Sequence, residues 1–216
     1  MLKGEKLLFE PGTGFLYSNS NYLLLYFMLE KISGQSYASL LQEKILLPLQ
    51  LTKTGYGWND GQTAERGFPQ YYFDRYANSQ LENVSAWNGA LARGSVAYGG
   101  LASAPDDIIQ FYTSLNAGQL VNQSSMQEMT TWIQGKGSTQ PDYGLGLEYF
   151  QFAPGTEPQY GHEGDGIGNS TMLIYVPATR TYLYININTG RKLMGPYLFR
   201  VTDLKNELCR YVAAWR

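Results

Sequence analysis

The 216-residue sequence is poor in the residues that hold metals, disulfides and nucleic acids. Its one cysteine, Cys209, cannot form an internal disulfide, and its one histidine, His162, has no second histidine or cysteine nearby to complete a metal site. The net charge is −2 and no block of lysine or arginine occurs, which disfavours nucleic acid or an anionic membrane surface as a partner. No apolar run is long enough to span a bilayer, since the run at Tyr22–Leu29 is followed by Glu30 and Lys31. We therefore expect a protein without a metal, cofactor, disulfide or membrane span.

Apolar residues are plentiful by contrast. Hydrophobic residues make up 44% of the chain and charged residues 16%, a balance typical of ordered globular proteins. A chain of this length can bury a sizeable core, and neither an internal repeat nor a linker is visible. The sequence thus predicts a single domain over residues 1–216.

Capping residues and helical spacing predict helices over about residues 21–33, 37–46, 104–117, 124–133 and 196–214. Asn19 or Ser20 would cap the first of these, and Ser103 the third. The first helix is apolar nearly all round, so we expect it to be buried. The last has an apolar stripe at helical spacing, formed by Leu198, Val201, Leu204, Leu208, Tyr211 and Val212.

Strand patterns occupy residues 144–150, 170–176 and 181–188, and the segment "PATR" at 177–180 predicts a hairpin turn between the last two. Helices followed by an antiparallel meander and a covering helix indicate an α+β fold, an antiparallel sheet flanked by helices. Between Leu51 and Gly100 periodicity fades into Gly-, Asn- and aromatic-rich loops, which suit the wall of a binding cleft.

Two polar stretches are candidates for chemistry. In "EPGTGFLYSNSN", Tyr17 and Asn19 stand at the mouth of the first helix; alone, they favour a core aromatic residue and a helix N-cap. In "GHEGDGIGNS", His162 lies among glycines that let backbone N–H groups approach another group, as in sites that stabilise an oxyanion during acyl transfer. A tight turn with one polar surface histidine explains the second stretch equally well.

Together with their surroundings, the two stretches resemble the serine β-lactamase and penicillin-binding-protein superfamily, in the branch of class C β-lactamases, D-alanyl-D-alanine carboxypeptidases and related esterases. The resemblance runs collinearly from Phe9 to about Thr189. It is carried by "FEPGTGFLYSNSNYLLLYFMLEKISGQSYASLLQEKILLPLQLTKTGY", "GSVAYGGLASAPDDIIQFYTSL", "YGLGLEYF" and "GHEGDGIGNSTMLIYVPATRTYLYININ". It implies a β-lactamase/transpeptidase-like fold, a small-molecule or peptide substrate and, since the family is mostly bacterial, a periplasmic or cell-envelope location.

The resemblance also implies roles for individual residues. Tyr17 would move protons to and from an acylated serine, and Asn19 would bind the substrate amide. His162 would stand where the family's third motif, Lys- or His-x-Gly, edges the active site. The backbone N–H of Asp165 would be one oxyanion donor, with Glu163 and Gly164 beside the substrate. A neutral tyrosine can fill this role only through nearby cations or a concerted proton relay.

One part of the family's machinery is missing from the sequence. No lysine has a serine three residues before it; Thr189 with Lys192 and Thr202 with Lys205 share the spacing but not the residue. In the family, Ser-x-x-Lys precedes Tyr-x-Asn by many tens of residues. We therefore expect the nucleophile to lie upstream of Met1, the domain to be N-terminally incomplete, and the chain as given to be inactive. Helices left uncovered by the missing part would expose an apolar surface or pair in a homodimer.

Glu163 departs from the family in another way, because carboxylate-binding members carry Thr or Ser at this position. A carboxylate that faced the cleft would repel an anionic substrate terminus, which favours ester or amide substrates without a carboxylate. Two readings of function stay open. One is a serine acyl hydrolase, and the other is a non-catalytic module that binds peptide or sugar in an aromatic cleft.

Overall fold

A computed structural model describes residues 6–56, 67–95, 97–135, 138–152, 154–190 and 196–214, without the side chains of residues 56, 196 and 198. The helices within these ranges are α1 (Asn19–Ser33), α2 (Tyr37–Leu41, continued by a π-helical turn at Gln42–Leu46), α3 (Ser85–Gly94), α4 (Pro105–Asn116), α5 (Gln123–Met129) and α6 (Pro196–Ala213). The strands are β1 (Gly55–Tyr56), β2 (Tyr72–Phe73), β3 (Glu82–Asn83), β4 (Leu101–Ala102), β5 (Glu148–Phe150), β6 (Gln159–Asp165), β7 (Ser170–Val176) and β8 (Thr181–Ile187).

The central element is a four-stranded antiparallel sheet in the order β5-β6-β7-β8. The predicted hairpin joins its last two strands through a 3₁₀ turn at Pro177–Thr179, after which Arg180 adopts a left-handed conformation with φ of 53°. Strand β7 alternates buried and half-buried residues, as expected for a strand whose two faces have different covers. The α+β fold with an antiparallel sheet is thus confirmed.

The sheet is covered on both faces. On one face, the buried side chains of Met172 and Ile174 pack with Cys209 of α6. On the other, Tyr112 and Leu115 of α4 pack against aromatic and aliphatic side chains of the sheet. Each of the buried apolar side chains contributes about 1.5–3 kcal/mol relative to exposure. The two covers hold β6, the strand that carries His162, in a fixed position.

Several predicted boundaries are wrong. Strand β6 itself was not predicted, because its glycines and charged residues hide the alternation of a strand. Helix α3 lies inside the stretch predicted as loops, and β5 begins at Glu148, four residues later than expected. Helix α5 spans Gln123–Met129 rather than 124–133.

The caps differ by one residue from those predicted. Ser18, not Asn19 or Ser20, caps α1, since its side chain accepts a hydrogen bond from the Ser20 N–H. Ala104 is the N-cap of α4, which has no side-chain cap but carries Asp106 in its first turn. Cap geometry depends on the backbone angles of single residues, and these do not show in a sequence.

The buried face of α6 also differs from the predicted stripe. Among the side chains of this helix that the structure describes, the buried ones are spaced four residues apart: Val201, Lys205, Cys209 and Ala213. Three members of the predicted stripe are exposed, namely Leu204, Leu208 and Tyr211. The buried face of the helix therefore includes Lys205, which is paired with the carboxylate of Glu163.

Helix α1 is exposed, and the prediction that it would be buried is wrong for this chain. None of its residues is buried, and large apolar side chains face solvent along it: Leu24, Leu25, Phe27, Met28, Leu29 and Ile32. Its apolar composition is typical of a helix that packs on several sides, so the chain exposes an apolar surface of the kind that marks a contact site. No helix in the described ranges is both long enough and apolar enough to cross a membrane.

We expect this surface to make the chain self-associate or bind a hydrophobic dye. Leu25 and Ile32 lie seven residues apart on one side of α1 and are 52% and 81% exposed. Replacing both by lysine should reduce the mass measured by light scattering, or the dye fluorescence, without lowering the unfolding midpoint. Leu145→Lys, at an exposed site outside any helix, is the control. A parent chain that is monomeric and binds no dye would contradict this prediction.

Candidate active site

Tyr17 lies in the segment that enters α1, directly before the Ser18 cap. Its ring is 43% exposed and packs edge-on against Tyr143, with 5.6 Å between ring centroids. The ring of His162 lies 6.2 Å away. The structure therefore brings together Tyr17 and His162, which are far apart in sequence.

His162 has a neighbour at each ring nitrogen. Nε2 lies 2.9 Å from the hydroxyl of Tyr143, and Nδ1 lies 2.6 Å from the backbone carbonyl oxygen of Glu163. A carbonyl oxygen only accepts hydrogen bonds, so Nδ1 must carry the hydrogen. When the imidazole is neutral, its Nε2 is consequently an acceptor.

Tyr143 extends this contact away from the histidine. Its ring is buried, and its hydroxyl lies 2.5 Å from the hydroxyl of Tyr22 in the first turn of α1. Burial, and secondly the hydrogen bond to Tyr22, raise the pKa of Tyr143 well above the ordinary value for a tyrosine. Tyr143 is therefore a neutral phenol at neutral pH.

Glu148, at the start of β5, faces the other side of the imidazole. One carboxylate oxygen accepts a hydrogen bond of 3.0 Å from the Glu163 N–H, and the other lies 3.7 Å from Nδ1 of His162. Burial raises the pKa of Glu148, while His162 opposes that shift. A mostly buried carboxyl group thus lies next to the imidazole of His162.

Glu163 and Asp165 direct their side chains to the opposite face of the sheet from His162, because side chains alternate along β6. The carboxylate of Glu163 lies 3.1 Å from Nζ of Lys205, and the Ser170 hydroxyl donates to Asp165 at 2.6 Å. Glu163 also borders the cleft described below. Its negative charge is thus compensated by a lysine behind the sheet.

The backbone of Gly164 and Asp165 lies at the end of β6. The N–H of Glu163 points towards β5. The Asp165 N–H, two residues further along β6, points to the same side. The pairing with β5 stops at Gly161, so this N–H lies at the edge of the sheet beyond β5. A Cβ at Gly164 would stand 2.9 Å from the Thr171 hydroxyl, so a larger residue there would require that side chain to move.

Asn19 is exposed and is the first residue of α1. It precedes Tyr22 by three positions and so lies on the same side of the helix. The structure thus brings Tyr17 and His162 together, places the Asp165 backbone at the adjoining strand edge, and leaves Asn19 at the helix end nearest to them.

A cleft of about 420 Å³ opens beside these residues. Its walls are largely aromatic, formed by Phe15, Leu16, Tyr17, Gly135, Asp142, Tyr143, Glu148, Tyr149, Phe150 and Glu163. Within the described ranges, no three His, Cys, Asp or Glu side chains converge to hold a metal ion. The cleft has the size of a small-molecule site.

The sequence did not reveal four of the residues that build this site: Tyr22, Tyr143, Glu148 and Lys205. Tyr22 and Tyr143 are two among 18 tyrosines, and composition could not single them out. Glu148 and Lys205 did carry a signal, since each is a charged residue inside an apolar pattern of a predicted strand or helix, where buried charges are normally paired.

We expect Glu148→Gln to stabilise the chain at neutral pH. The pKa of Glu148 is raised in the folded state, so the stability associated with this group is present below its unfolded pKa and is lost as the pH rises through its folded pKa. A glutamine does not ionise and avoids that loss. The unfolding temperature of the variant should exceed that of the parent at pH 7.5, by about 2–4 °C for each kcal/mol, and match it near pH 4.

Glu43→Gln is the control, because the pKa of that exposed carboxyl is lowered, chiefly by its hydrogen bond with Lys44. This change should give no gain at pH 7.5. A Glu148→Gln variant that is less stable than the parent at both pH values would show that the negative charge of Glu148 is needed for packing.

Comparisons with known proteins agree on one family. The sequence profile described as "Beta-lactamase" matches residues 1–202. Penicillin-binding protein 4* of Bacillus subtilis (strain 168) is 28% identical over 201 residues, which cover 86% of this chain and 43% of that protein. The chain thus spans less than half the length of this relative.

Solved structures give the same fold. D-amino acid amidase from Ochrobactrum anthropi SV3, complexed with L-phenylalanine amide, superposes with a TM-score of 0.78 and 25% identity, covering 94% of this chain and 59% of the amidase. A D-stereospecific amidohydrolase from Streptomyces sp. gives a TM-score of 0.68 at 26% identity, covering 83% of this chain and 52% of that one. An octameric penicillin-binding protein homologue from Pyrococcus abyssi, at 23% identity and a TM-score of 0.67, shares the fold.

Proposed function

The chain belongs to the beta-lactamase family, and from this membership we propose that it is the C-terminal part of a serine acyl hydrolase that cleaves an amide or ester bond through an acyl-serine. The acylated serine and its lysine would come from a segment outside these 216 residues. In this proposal the chain alone is inactive and supplies half of the site.

The observation that carries the proposal is the meeting of Tyr17 and His162 beside one cleft. Their rings lie 6.2 Å apart although the two residues are far apart in the sequence. Tyr17 lines the cleft, which has the volume for a small molecule or a short peptide end.

The proposed chemistry assigns a role to each residue. The serine oxygen attacks the acyl carbonyl while its proton passes to Tyr17, which then gives a proton to the leaving amine or alcohol. Water hydrolyses the acyl-serine by the same exchange in reverse. The Asp165 N–H and the serine N–H stabilise the oxyanion, Asn19 binds the substrate amide, and His162 borders the carbonyl side of the cleft.

This chemistry requires a cation that the described part of the chain does not place beside Tyr17. Burial, then Tyr22 and Glu148, raise the pKa of Tyr17, so the residue is a phenol at neutral pH. The buried Lys205 is paired with Glu163 behind the sheet and cannot supply the charge. The lysine of Ser-x-x-Lys, adjacent to the nucleophile in the proposed complete site, would lower the pKa of Tyr17 into a useful range.

The relatives suggest a class of substrate. Two of the similar structures are a D-amino acid amidase and a D-stereospecific amidohydrolase. Half of the residues that line the cleft are aromatic, and three are acidic: Asp142, Glu148 and Glu163, of which Glu163 is paired with Lys205. We therefore favour the amide or ester of an amino acid with an apolar side chain over a substrate with a free carboxylate.

The alternative function is a non-catalytic module that binds peptide or sugar. One observation favours it: the cleft carries a stacked pair, Phe15 and Tyr143, with 5.2 Å between ring centroids, which is a suitable platform for a sugar or an aromatic side chain.

The test begins with the coding DNA ahead of Met1. The protein that includes the upstream segment should contain Ser-x-x-Lys, hydrolyse D-phenylalanine amide, and show a trapped acyl adduct on that serine by mass spectrometry. A longer protein that binds this amide without hydrolysis, and has no Ser-x-x-Lys, would establish the binding module instead.

A further inference from the structure

We propose that Tyr143 and Tyr22 are positioning residues that form, with His162, a hydrogen-bond chain whose direction follows the charge of the imidazole. A role of this hydrogen-bond chain in catalysis rests on the proposed function, but the hydrogen bonds themselves do not. They run from Nε2 of His162 to the Tyr143 hydroxyl at 2.9 Å, and from there to the Tyr22 hydroxyl at 2.5 Å.

The direction of the chain follows from the other ring nitrogen. Nδ1 lies 2.6 Å from the Glu163 carbonyl oxygen, which can only accept, so the hydrogen of a neutral imidazole is on Nδ1 and Nε2 accepts. The single hydrogen of Tyr143 then points to Nε2. Tyr22 must donate to Tyr143, since a hydroxyl oxygen that has used its own hydrogen can only accept.

Protonation reverses every bond of the chain. In the imidazolium form, Nε2 donates to Tyr143, Tyr143 donates to Tyr22, and the Tyr22 hydrogen is turned outwards. The change conserves protons. One proton enters at the Tyr22 oxygen, the original Tyr22 hydrogen moves to Tyr143, and the Tyr143 hydrogen moves to Nε2. Both tyrosines end neutral, and the positive charge rests on His162.

Charged and polar groups face the imidazole from several elements. Glu148 faces it from β5, with 3.7 Å between a carboxyl oxygen and Nδ1. Tyr17 faces it from the segment before α1, and Tyr143 and Tyr22 face it along the chain. On the other face of β6, the charge of Glu163 is compensated by Lys205 of α6. Tyr143 is buried, so water cannot easily replace its two hydrogen bonds.

Two consequences separate this inference from the simple view of His162 as a group that contacts substrate. With both nitrogens engaged, the imidazole acts through Tyr143 instead of donating into the cleft itself. The charge of His162 determines where the hydroxyl hydrogen of Tyr22 points. Tyr22 lies on the helix face that also carries Asn19.

The test uses the 216-residue chain itself and needs no activity. Because His162 is the only histidine, ¹⁵N labelling gives one pair of imidazole nitrogen resonances, and long-range ¹H–¹⁵N correlation assigns them. We expect the neutral form to be the Nδ1–H tautomer, the less common one for histidine in water. The Nε2–H tautomer would place a hydrogen between Nε2 and Tyr143 and would overturn the proposed direction.

Variants then test the two tyrosines. Tyr143→Phe cannot donate, so the Nε2 resonance should move to higher frequency and the Nδ1–H fraction should fall. Tyr22→Phe should move Nε2 in the same direction by less, because it acts through Tyr143. Tyr160→Phe is the matched control. It removes a hydroxyl from the same face of β6 that is bonded to Asn116, and should leave both nitrogens in place.

The tautomer is read on the parent chain, so the first result decides even if a variant fails to fold. A folded Tyr143→Phe chain with unchanged nitrogen resonances would refute the inference. Failure of the hydrolase proposal would leave these spectra unaffected, and the two outcomes are therefore distinguishable.

Discussion

The 216-residue chain should remain unlabelled by a fluorophosphonate probe and by a fluorescent penicillin, whereas the longer protein with its upstream segment should react with the fluorophosphonate. Both reagents need an activated serine, and no serine in this chain stands three residues before a lysine. In the longer protein, Tyr17→Phe should slow the reaction roughly 10²–10⁴-fold, the usual scale for a positioned proton-transfer group.

Tyr17→Phe removes only the hydroxyl group of the side chain. The phenylalanine ring can keep the edge-on contact of Tyr17 with Tyr143, at 5.6 Å between centroids. Tyr211→Phe is the control, since that residue is 70% exposed on α6, on the opposite side of the sheet from His162, and its change should leave the rate as it is. Labelling of the 216-residue chain at one of its own serines, located by mass spectrometry, would overturn the assignment of the nucleophile to an outside segment.

The features that the sequence predicted well are those set by neighbouring residues. The turn at Pro177–Thr179 follows from its proline, and it fixes the antiparallel register of β7 and β8. The run of strand-type residues in Ser170–Val176 predicted a strand with the observed bounds. Such signals are local, and no distant contact is needed to read them.

The features that it missed depend on contacts between distant residues. Strand β6 holds few side chains of strand type, yet it pairs with β7 along nearly its whole length and with β5 at its first three residues, because tertiary contacts outweigh local propensity. The meeting of Tyr17 with His162 was expected only from a family resemblance. The hydrogen bond of His162 with Tyr143, and that of Tyr143 with Tyr22, could not be predicted, because the spacing of these tyrosines in the sequence does not indicate that they meet.

Removing Glu163 should lower the free energy of unfolding more than removing its ion-pair partner Lys205. Lys205 is 1% exposed and donates to Glu163 at 3.1 Å and to the Thr171 carbonyl at 3.2 Å, whereas Glu163 is 33% exposed. Removing the carboxylate with Glu163→Leu strands a buried ammonium group, and this should lower the free energy of unfolding by about 3–5 kcal/mol. Lys205→Met leaves a carboxylate that water can reach, and should cost about 1–2 kcal/mol.

The double variant gives the strongest form of this prediction. A leucine and a methionine at the two positions leave no uncompensated charge between β6 and α6, so the loss in the Glu163→Leu, Lys205→Met chain should be smaller than that of Glu163→Leu alone. Urea unfolding at one pH measures all four chains. Lys53→Met is the matched control: its partner Asp106 lies 3.5 Å away, but both side chains are largely exposed, at 61% and 85%, and the change should cost about 0–1 kcal/mol. Additive losses in the double variant would mean that the two charges do not interact, and that the lysine is buried for a reason other than Glu163.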